Sequence, residues 1–206
     1  EEVEFRKDLE IDFNDAGHGL EHDKKNRLSE IDKKLIELGI LFSENIAKDK
    51  TELQFSKDEL RGLSKNELTN LSKSGEKFVI TMAYPDINAV TENCTVRKTR
   101  ETTWKAFNNR AVNENSRILK EAVELRNEKA GLFGFKTWAD YRLQNRMAKS
   151  PKNVKAMYDD LIPKLHKAAE LEKKELVIDD IAIEEIAPWD IRYFISSERS
   201  KVSNIE

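Results

Sequence analysis

Hydrophobic residues along this chain recur mostly at spacings of three and four, which is the period of amphipathic helices. The longest such stripe runs from about Asp23 to Lys48, and lysine and glutamate fill the opposite face. Its apolar members are Leu28, Ile31, Leu35, Leu38, Phe42 and Ile46. We therefore predict one long amphipathic helix over this part of the chain.

The same period returns after Asp86, where the sequence predicts several further helices. Thr95 is a candidate N-cap for a helix that carries Trp104 and Phe107 on one side, and a following helix is expected to end at Gly131 or Gly134. The apolar positions of these two helices also include Val96, Thr99, Thr103, Ile118, Leu119, Ala122, Leu125 and Ala130.

Three more helices are predicted towards the end of the chain. Thr137 caps the helix in "KTWADYRL", and Ser150 caps the next one with Pro151 at its first position. That helix extends to about residue 176, and we expect Pro163 to kink or break it. "PWDIRYFISS" predicts a last helix packed by aromatic side chains.

Only two short stretches have the alternating pattern of strands, which makes the predicted fold mainly α with a minor two-stranded β element. The strands are expected at about 51–56, with Leu53 and Phe55 on one side, and at about 77–82, after the turn "SKSGEK". Capping boxes at Ser56–Glu59 and Ser64–Glu67 predict helical turns between them. Neither predicted strand is long enough for a sheet-based fold.

The composition indicates a cytosolic helical protein. The chain of 206 residues has 36 basic and 39 acidic residues, for a net charge of −3, so neither nucleic acid nor a membrane is an expected partner. No apolar run approaches the roughly 20 residues that span a bilayer, and no signal-peptide pattern occurs in the first residues. Cys94 is the one cysteine, which excludes an internal disulfide and fits a reducing compartment.

The stretch "DAGHGLEHDKK" contains His18, Glu21 and His22 in the order H-x-x-E-H, the inverted form of a zinc-protease motif. That motif needs both histidines on one face of a helix. Here Gly17 and Gly19 flank His18, and each costs about 1 kcal/mol in a helix interior relative to alanine. We therefore predict that His18 lies in an exposed loop and that the motif is a chance match.

Other candidate residues have ordinary structural explanations. His166 is predicted on a helix surface or half-buried, and Cys94 as a buried, inert thiol. "NCT" matches a glycosylation acceptor, which would need a secreted protein. P-loop, dinucleotide-binding and nucleophile-elbow motifs are absent from the sequence.

The stretch "RKTRETTWKAFNNR" interleaves basic and aromatic residues, which is also a feature of nucleic-acid-binding surfaces. Helical spacing places Trp104 and Phe107 on one face, so we interpret the aromatic residues as a core stripe. The basic residues Arg97, Arg100, Lys105 and Arg110 are then expected on the outer face.

Four stretches in order resemble the thimet oligopeptidase and neurolysin family of zinc metallopeptidases, from about Leu9 to the end of the chain. They are "FSENIAKDKTELQFSKDEL", "AVNENSRILKEAVELRNEKAGLFGFKTWADYRL", "NRMAKSPKNVKAMYDDL" and "PWDIRYF". At "DFNDAGHGLEHDKK" the family has a loop without a catalytic role. The resemblance therefore agrees with the interpretation of His18 and His22 as a chance match.

The resemblance implies cleavage of short peptides by a zinc ion that the family holds with an H-E-x-x-H motif and a more distant glutamate. This sequence has no H-E-x-x-H, and its histidines do not map onto those ligands. We accordingly assign no catalytic, cofactor-binding or metal-binding residue and expect no cofactor in this chain. Residues 1–206 alone are expected to be inactive and to form part of one wall of the family's substrate channel.

Two hypotheses follow for the whole chain, taken as one helical segment with seams near Gly75 and at 177–187. The first is a segment of a zinc oligopeptidase whose catalytic half is absent here, with short peptides and possibly that missing half as partners. The second is a non-enzymatic peptide-binding or scaffold protein derived from the same family. The resemblance leaves a mitochondrial location open beside the cytoplasmic one.

Overall fold

Helices account for most of the computed structural model, which describes residues 2–175 and 185–203. Its elements, in chain order, are α1 (Glu2–Asp15), α2 (His22–Ala47), β1 (Leu53–Phe55), α3 (Lys65–Asn70), β2 (Ser72–Ser74), β3 (Lys77–Ile80), α4 (Tyr84–Asn93), α5 (Arg97–Asn108), α6 (Val112–Leu132), α7 (Trp138–Leu143), α8 (Pro151–Glu175) and α9 (Pro188–Ser203). The predicted fold class, mainly α with a minor β element, is confirmed.

The chain divides into two compact units. The first comprises Glu1–Ala47 and Asn113–Lys167, and the second comprises Lys48–Val112 and Ala168–Glu206. The predicted seam near Gly75 stays a prediction, and residues 177–184 of the other predicted seam lie outside the described residues. Within residues 2–175 and 185–203, no helix is both long and apolar enough to cross a membrane.

In the first unit, α2 and α6 are joined by polar contacts. Leu28, Ile31 and Leu38 of the predicted stripe are buried, which confirms the amphipathic pattern. Lys129 Nζ pairs with Asp32 Oδ1 at 2.5 Å. Asn115, which is buried, donates to the carbonyl of residue 42 at 3.0 Å. These polar contacts therefore fix the register between α2 and α6, which the apolar stripe of α2 alone would not determine.

Tyr141 in α7 is the centre of an aromatic cluster in the same unit. Its ring stacks on Phe133 at 5.0 Å, and the rings of Phe135 and Trp138 lie at 5.5 and 5.4 Å. The Tyr141 hydroxyl donates to Asp15 Oδ1 at 2.8 Å, which ties the end of α1 to this cluster. Burial, together with that bond, raises the pKa of Tyr141 above its ordinary value.

The helix signals along the chain are mostly confirmed. Thr137 accepts from Asp140 N as the N-cap of α7, and Ser150 Oγ accepts from Asn153 N at the start of α8. α6 ends in the αL turn at Gly134, whose φ is 80°. α8 is continuous through Pro163, so a break does not occur there, and the alternative of a kink stays a prediction.

The predicted cap of α5 is wrong. The residue before this helix is Val96, which makes no side-chain cap bond. Thr95 Oγ1 instead donates to the carbonyl of Arg61 at 3.1 Å, and Thr95 N donates to the same oxygen at 2.8 Å. Thr95 therefore fastens the α4–α5 connection to the turn that follows β1, which the local sequence does not reveal.

The sheet of the second unit has three antiparallel strands in the order β1-β3-β2. Leu53 pairs with Ile80 and Phe55 with Phe78, as the predicted strands require. The third strand, β2, corrects the two-stranded prediction: it lies within the stretch predicted as a turn and pairs Ser74 with Lys77. Its three residues are all polar and exposed, so this edge strand carries no hydrophobic signal.

The core of the second unit lies between this sheet, α4 and the turns around Leu60. Both predicted capping boxes are present, since Ser56 and Ser64 exchange bonds with Glu59 and Glu67. The buried cluster consists of Phe55, Leu60, Leu63, Leu71, Phe78, Ile80, Met82, Ile87, Val90 and Cys94. The capped turns therefore close the core on the side that the three-stranded sheet leaves open.

Gly62 is required by this packing, and Gly62→Ala should show it. Gly62 has φ +100°, and an added Cβ would lie 2.2 Å from the carbonyl oxygen of Asn93 and 2.9 Å from Thr95 N. We expect a loss of about 3 kcal/mol in the free energy of unfolding, from backbone strain plus overpacking. Urea unfolding of the variant measures it.

The matched control is Gly75→Ala. Gly75 also has a positive φ, +61°, but no atom lies within 4 Å of its added Cβ. Strain alone predicts a loss of about 1 kcal/mol. Equal losses in the two variants would contradict the close approach at Gly62.

Candidate functional site

The H-x-x-E-H residues do not form a metal site in this structure. His18 lies exposed in the turn after α1, with its ring 4.9 Å from that of Phe13, as the loop prediction required. His22 is the first residue of α2, so the two histidines do not share a helical face. Within the described residues no three His, Cys, Asp or Glu side chains group as metal ligands. The residues present therefore do not fit the family's zinc.

Cys94 and His166 have the structural positions predicted for them. Cys94 is buried in the second unit, its Sγ lies 3.3 Å from the carbonyl of Glu59, and burial raises the pKa of the thiol. A thiol with a raised pKa is a poor nucleophile at neutral pH. His166 is exposed on α8.

The predicted outer position of Arg100 on α5 is wrong. Arg100 is 2% exposed and lies on the buried face of the helix, between Thr99 and Thr103. Its Nη1 donates to the carbonyl of Cys94 at 2.8 Å, and its guanidinium carbon lies 4.1 Å from the centre of the Tyr193 ring. A buried guanidinium requires a counter-charge, and the adjacent Glu101 does not supply it because that carboxylate pairs with Lys98 and Lys105.

Asp190, in the first turn of α9, supplies that counter-charge and is fully buried. Its Oδ1 accepts from Arg100 Nη2 at 2.8 Å, and its Oδ2 accepts from Arg97 Nη2 at 2.9 Å. Oδ2 also accepts from the backbone N–H of Ala187, just before the helix, at 3.1 Å. Arg97 further donates to the carbonyl of Glu185 at 2.6 Å. This Asp190 cluster therefore fixes the start of α9 on α5.

The hydrogen bonds to Asp190 determine its charge state. Burial by itself would raise the pKa of this carboxyl, but the bonds from Arg97, Arg100 and Ala187 N outweigh burial and hold the pKa below its ordinary value. Asp190 is therefore ionised at neutral pH.

One concave surface in the second unit lies among α4, α5 and α9 and is here called the aromatic groove. Its volume is about 120 Å³, and its lining consists of Tyr84, Ile87, Asn88, Thr91, Trp104, Phe107, Asn108 and Arg192. The rings of Tyr84 and Phe107 meet edge to face at 5.6 Å, and Trp104 is braced by Trp189 at 6.0 Å. Aromatic walls with a few polar groups are typical of a binding site.

Arg192 connects α9 with α4 at the edge of the groove. Its Nη1 donates to Asn88 Oδ1 at 2.6 Å and lies 3.5 Å from Glu92 Oε1. Because Asp190 lies two residues before Arg192 in the same helix, the Asp190 cluster sets the position of Arg192 as well.

A second, more polar depression, here called the acidic groove, lies on the other side of Asn88. Its volume is about 280 Å³, and its lining consists of Glu67, Asn70, Leu71, Pro85, Asp86, Asn88, Ala89, Glu92 and Asn93. Asn93 Nδ2 donates to Glu67 Oε1 at 2.6 Å. Neither groove has a histidine or cysteine in its lining.

The residues that shape the aromatic groove include two that sequence analysis missed, Asp190 and Arg192. A signal for Arg100 was available, since it falls between Val96 and Thr103 on the apolar face of α5. No comparable signal existed for Asp190, because its two arginine partners lie about 90 residues earlier in the chain.

The helices α5 and α9, which hold the Asp190 cluster, lie in a stretch of sequence that matches a known family. The model of peptidase family M3 matches residues 90–206, more than half of the chain, including the whole Asp190 cluster. The chain belongs to peptidase family M3. The resemblance to thimet oligopeptidases inferred from the sequence is thereby confirmed.

Several peptidases are similar to this M3 chain. The thimet-like oligopeptidase of Dictyostelium discoideum is 37% identical over 147 residues, which cover 70% of this chain and 22% of the relative. Saccharolysin of Saccharomyces cerevisiae is 34% identical over 215 residues, 94% of this chain and 30% of the relative. Oligopeptidase A of Salmonella typhimurium is 29% identical over 213 residues, 94% of this chain and 31% of the relative. The chain thus spans less than a third of the length of these relatives.

Asp190→Asn should strongly destabilise the second unit, because it leaves the buried guanidinium of Arg100 without its counter-charge. Breaking a buried ion pair costs about 3–5 kcal/mol, which urea unfolding would detect. The control is Asp159→Asn, which removes an exposed pair with Lys155 and should change the free energy of unfolding by less than about 0.5 kcal/mol. Similar unfolding midpoints for both variants would contradict the role of Asp190.

The Asp190 cluster also predicts a pH dependence. A carboxyl whose pKa is lowered by folding stabilises the folded state above its unfolded pKa, about 3.9, and this contribution is lost as the pH falls through the folded pKa. The gap in stability between the native chain and Asp190→Asn should therefore be constant between pH 7 and 5 and narrow below about pH 4. Urea titrations at each pH measure the gap, and a gap that stays constant down to pH 2.5 would contradict the lowered pKa.

Proposed function

We propose that this chain is part of a zinc-dependent oligopeptidase that hydrolyses short peptides, and that it forms part of a wall of the substrate channel. The observation that carries the proposal is the family match over residues 90–206, together with relatives that are named as oligopeptidases. Zinc and its ligands then come from polypeptide beyond residues 1–206. The absence of a fitting ligand set among the described residues is consistent with this division.

In this proposal residues 1–206 bind short peptides and exclude larger, folded substrates. Cleavage of the peptide bond belongs to the zinc-bearing part. The aromatic and acidic grooves present apolar rings, amides and carboxylates to a peptide. A wall of rigid helices narrows the path to the reacting centre and so restricts substrates to short, unfolded chains. The Asp190 cluster maintains this wall because it holds α9 on α5.

The expected ligands are short peptides, without nucleic acid or a membrane as partner. The near balance of 36 basic and 39 acidic residues supports the exclusion of nucleic acid. The proposed location is the cytoplasm, with the mitochondrion as the alternative.

The alternative function is a non-enzymatic peptide-binding or scaffold protein of the same family. The observation in its favour is that the two grooves offer binding surfaces without a histidine or cysteine in their lining. The two functions differ in what the gene encodes after Glu206. An H-E-x-x-H motif in the continuing reading frame supports the oligopeptidase and excludes the alternative, whereas a natural stop codon near that position does the reverse.

A zinc and activity measurement on the 206-residue chain tests the proposed division of labour. We expect no stoichiometric zinc after dialysis against trace metal and no cleavage of a quenched fluorogenic peptide, because the described residues hold no ligand group. Adding the zinc-bearing polypeptide in trans, or expressing it together with residues 1–206 as one chain, should give both zinc binding and peptide cleavage.

The control variant is His18→Ala with His22→Ala, which removes both motif histidines at exposed positions. It should leave the metal content and the unfolding midpoint unchanged. Tight stoichiometric zinc with turnover in the native chain, both lost in this variant, would overturn the proposal and assign the metal to His18 and His22.

A further inference from the structure

The guanidinium group of Arg192 has one edge available for a ligand. Only Nη1 is used within the described residues, for Asn88 Oδ1 at 2.6 Å and for the longer contact with Glu92 at 3.5 Å. Nε and Nη2 have no partner in that part of the chain, and the side chain is 54% exposed. An Nε–Nη2 edge is the two-donor fork that binds a carboxylate with two parallel hydrogen bonds.

The groove beside this fork is lined by aromatic rings. Tyr84, Trp104 and Phe107 contribute its apolar surface, and Thr91 is turned away because its hydroxyl donates to the carbonyl of Ile87 at 2.8 Å. The volume of about 120 Å³ is below the roughly 300–1,000 Å³ of pockets that enclose a drug-sized ligand. The groove therefore has the size of a subsite for a single side chain.

Asn108 adds a directional polar group at the same groove. Its Nδ2 donates to the carbonyl of Trp104 at 2.8 Å, which orients the amide and leaves Oδ1 as an acceptor. A peptide N–H is the matching donor. The site thus offers a fork for a carboxylate, a groove for an apolar side chain and an acceptor for a peptide N–H. These three features match the three groups of a C-terminal peptide residue.

The charge at the available edge of Arg192 also favours an anionic ligand. Within the described residues, the carboxylate that contacts Arg192 is Glu92, and it does so through Nη1 and not through the available edge. A ligand carboxylate can therefore bind Nε and Nη2 without displacing Glu92.

We propose that the aromatic groove is a subsite for the C-terminal residue of a short peptide with an apolar side chain. The side chain lies against Tyr84, Trp104 and Phe107, the terminal carboxylate binds the Nε–Nη2 edge of Arg192, and the last peptide N–H donates to Asn108. The choice of a peptide as ligand rests on the proposed function. A carboxylate requirement gives this subsite a preference for chain ends over internal segments of a protein.

Isothermal titration calorimetry of the whole 206-residue chain with two probes tests the subsite. The probes are N-acetyl-Ala-Phe, which has a free carboxylate, and its C-terminal carboxamide. We expect the carboxylate to bind about tenfold more tightly, since a charge-assisted bidentate bond is lost in the amide. Equal affinities, or no binding of either probe, would overturn the proposal.

Substitutions locate the binding in the groove. Arg192→Lys keeps the charge and removes the fork, so it should weaken the carboxylate probe about tenfold and leave the amide probe unchanged. The matched control is Arg199→Lys, on the same helix at an exposed position outside the groove lining, and it should leave both affinities unchanged. Equal effects of the two substitutions would place the carboxylate elsewhere.

Phe107→Ala tests the apolar wall and should weaken both probes, and its urea midpoint shows whether the second unit remains folded. If this variant unfolds, a probe series with alanine, leucine and phenylalanine as last residue measures the same contribution on the native chain. Affinity that does not rise along that series would overturn the apolar subsite. Dimerisation of the native chain that Phe107→Ala abolishes would assign the groove to a second copy and also overturn the proposal.

These measurements need neither zinc nor turnover. Failure of the probes to bind would therefore leave the oligopeptidase proposal standing. Conversely, a zinc site found within residues 1–206 would overturn the proposed division of labour without changing the affinities of the probes.

Discussion

A fully buried carboxylate between two guanidinium groups is the interaction on which the second unit depends. Burying Asp190 would be costly without partners, but Arg97, Arg100 and the N–H of Ala187 satisfy both of its oxygens. Apolar packing alone would tolerate small shifts of α9, whereas these directional bonds admit one register. The position of every residue in the first turns of α9 follows from that register.

The aromatic groove is a consequence of this constraint. α9 contributes Arg192 to the groove, while α4 and α5 contribute its rings and amides, so the lining exists only when three helices keep their places. A binding surface on helices is more precise than one on loops, because the side chains are held by a packed core. The same core contains Cys94, which is buried here as packing material rather than as a reactive thiol.

The contrast between the H-x-x-E-H letters and their structure shows why a motif needs its helix. Two histidines four residues apart converge on a metal only if both belong to the same helix. In this chain α2 begins at His22 itself, and His18 lies in the preceding turn, where Gly17 has a positive φ of 82°. Membership of peptidase family M3 is thus carried by the helical landmarks and not by these histidines.

The sequence by itself determined the local structure: the long helices from their apolar period, the caps at Ser64, Thr137 and Ser150, and two of the strands. These follow from interactions among residues a few positions apart, which a pattern records directly. Tertiary structure alone decided the bond of Thr95 to Arg61 and the pairing of the buried Arg100 with Asp190. Each of those depends on a partner distant in the chain, and one-dimensional spacing contains no information about which distant groups meet.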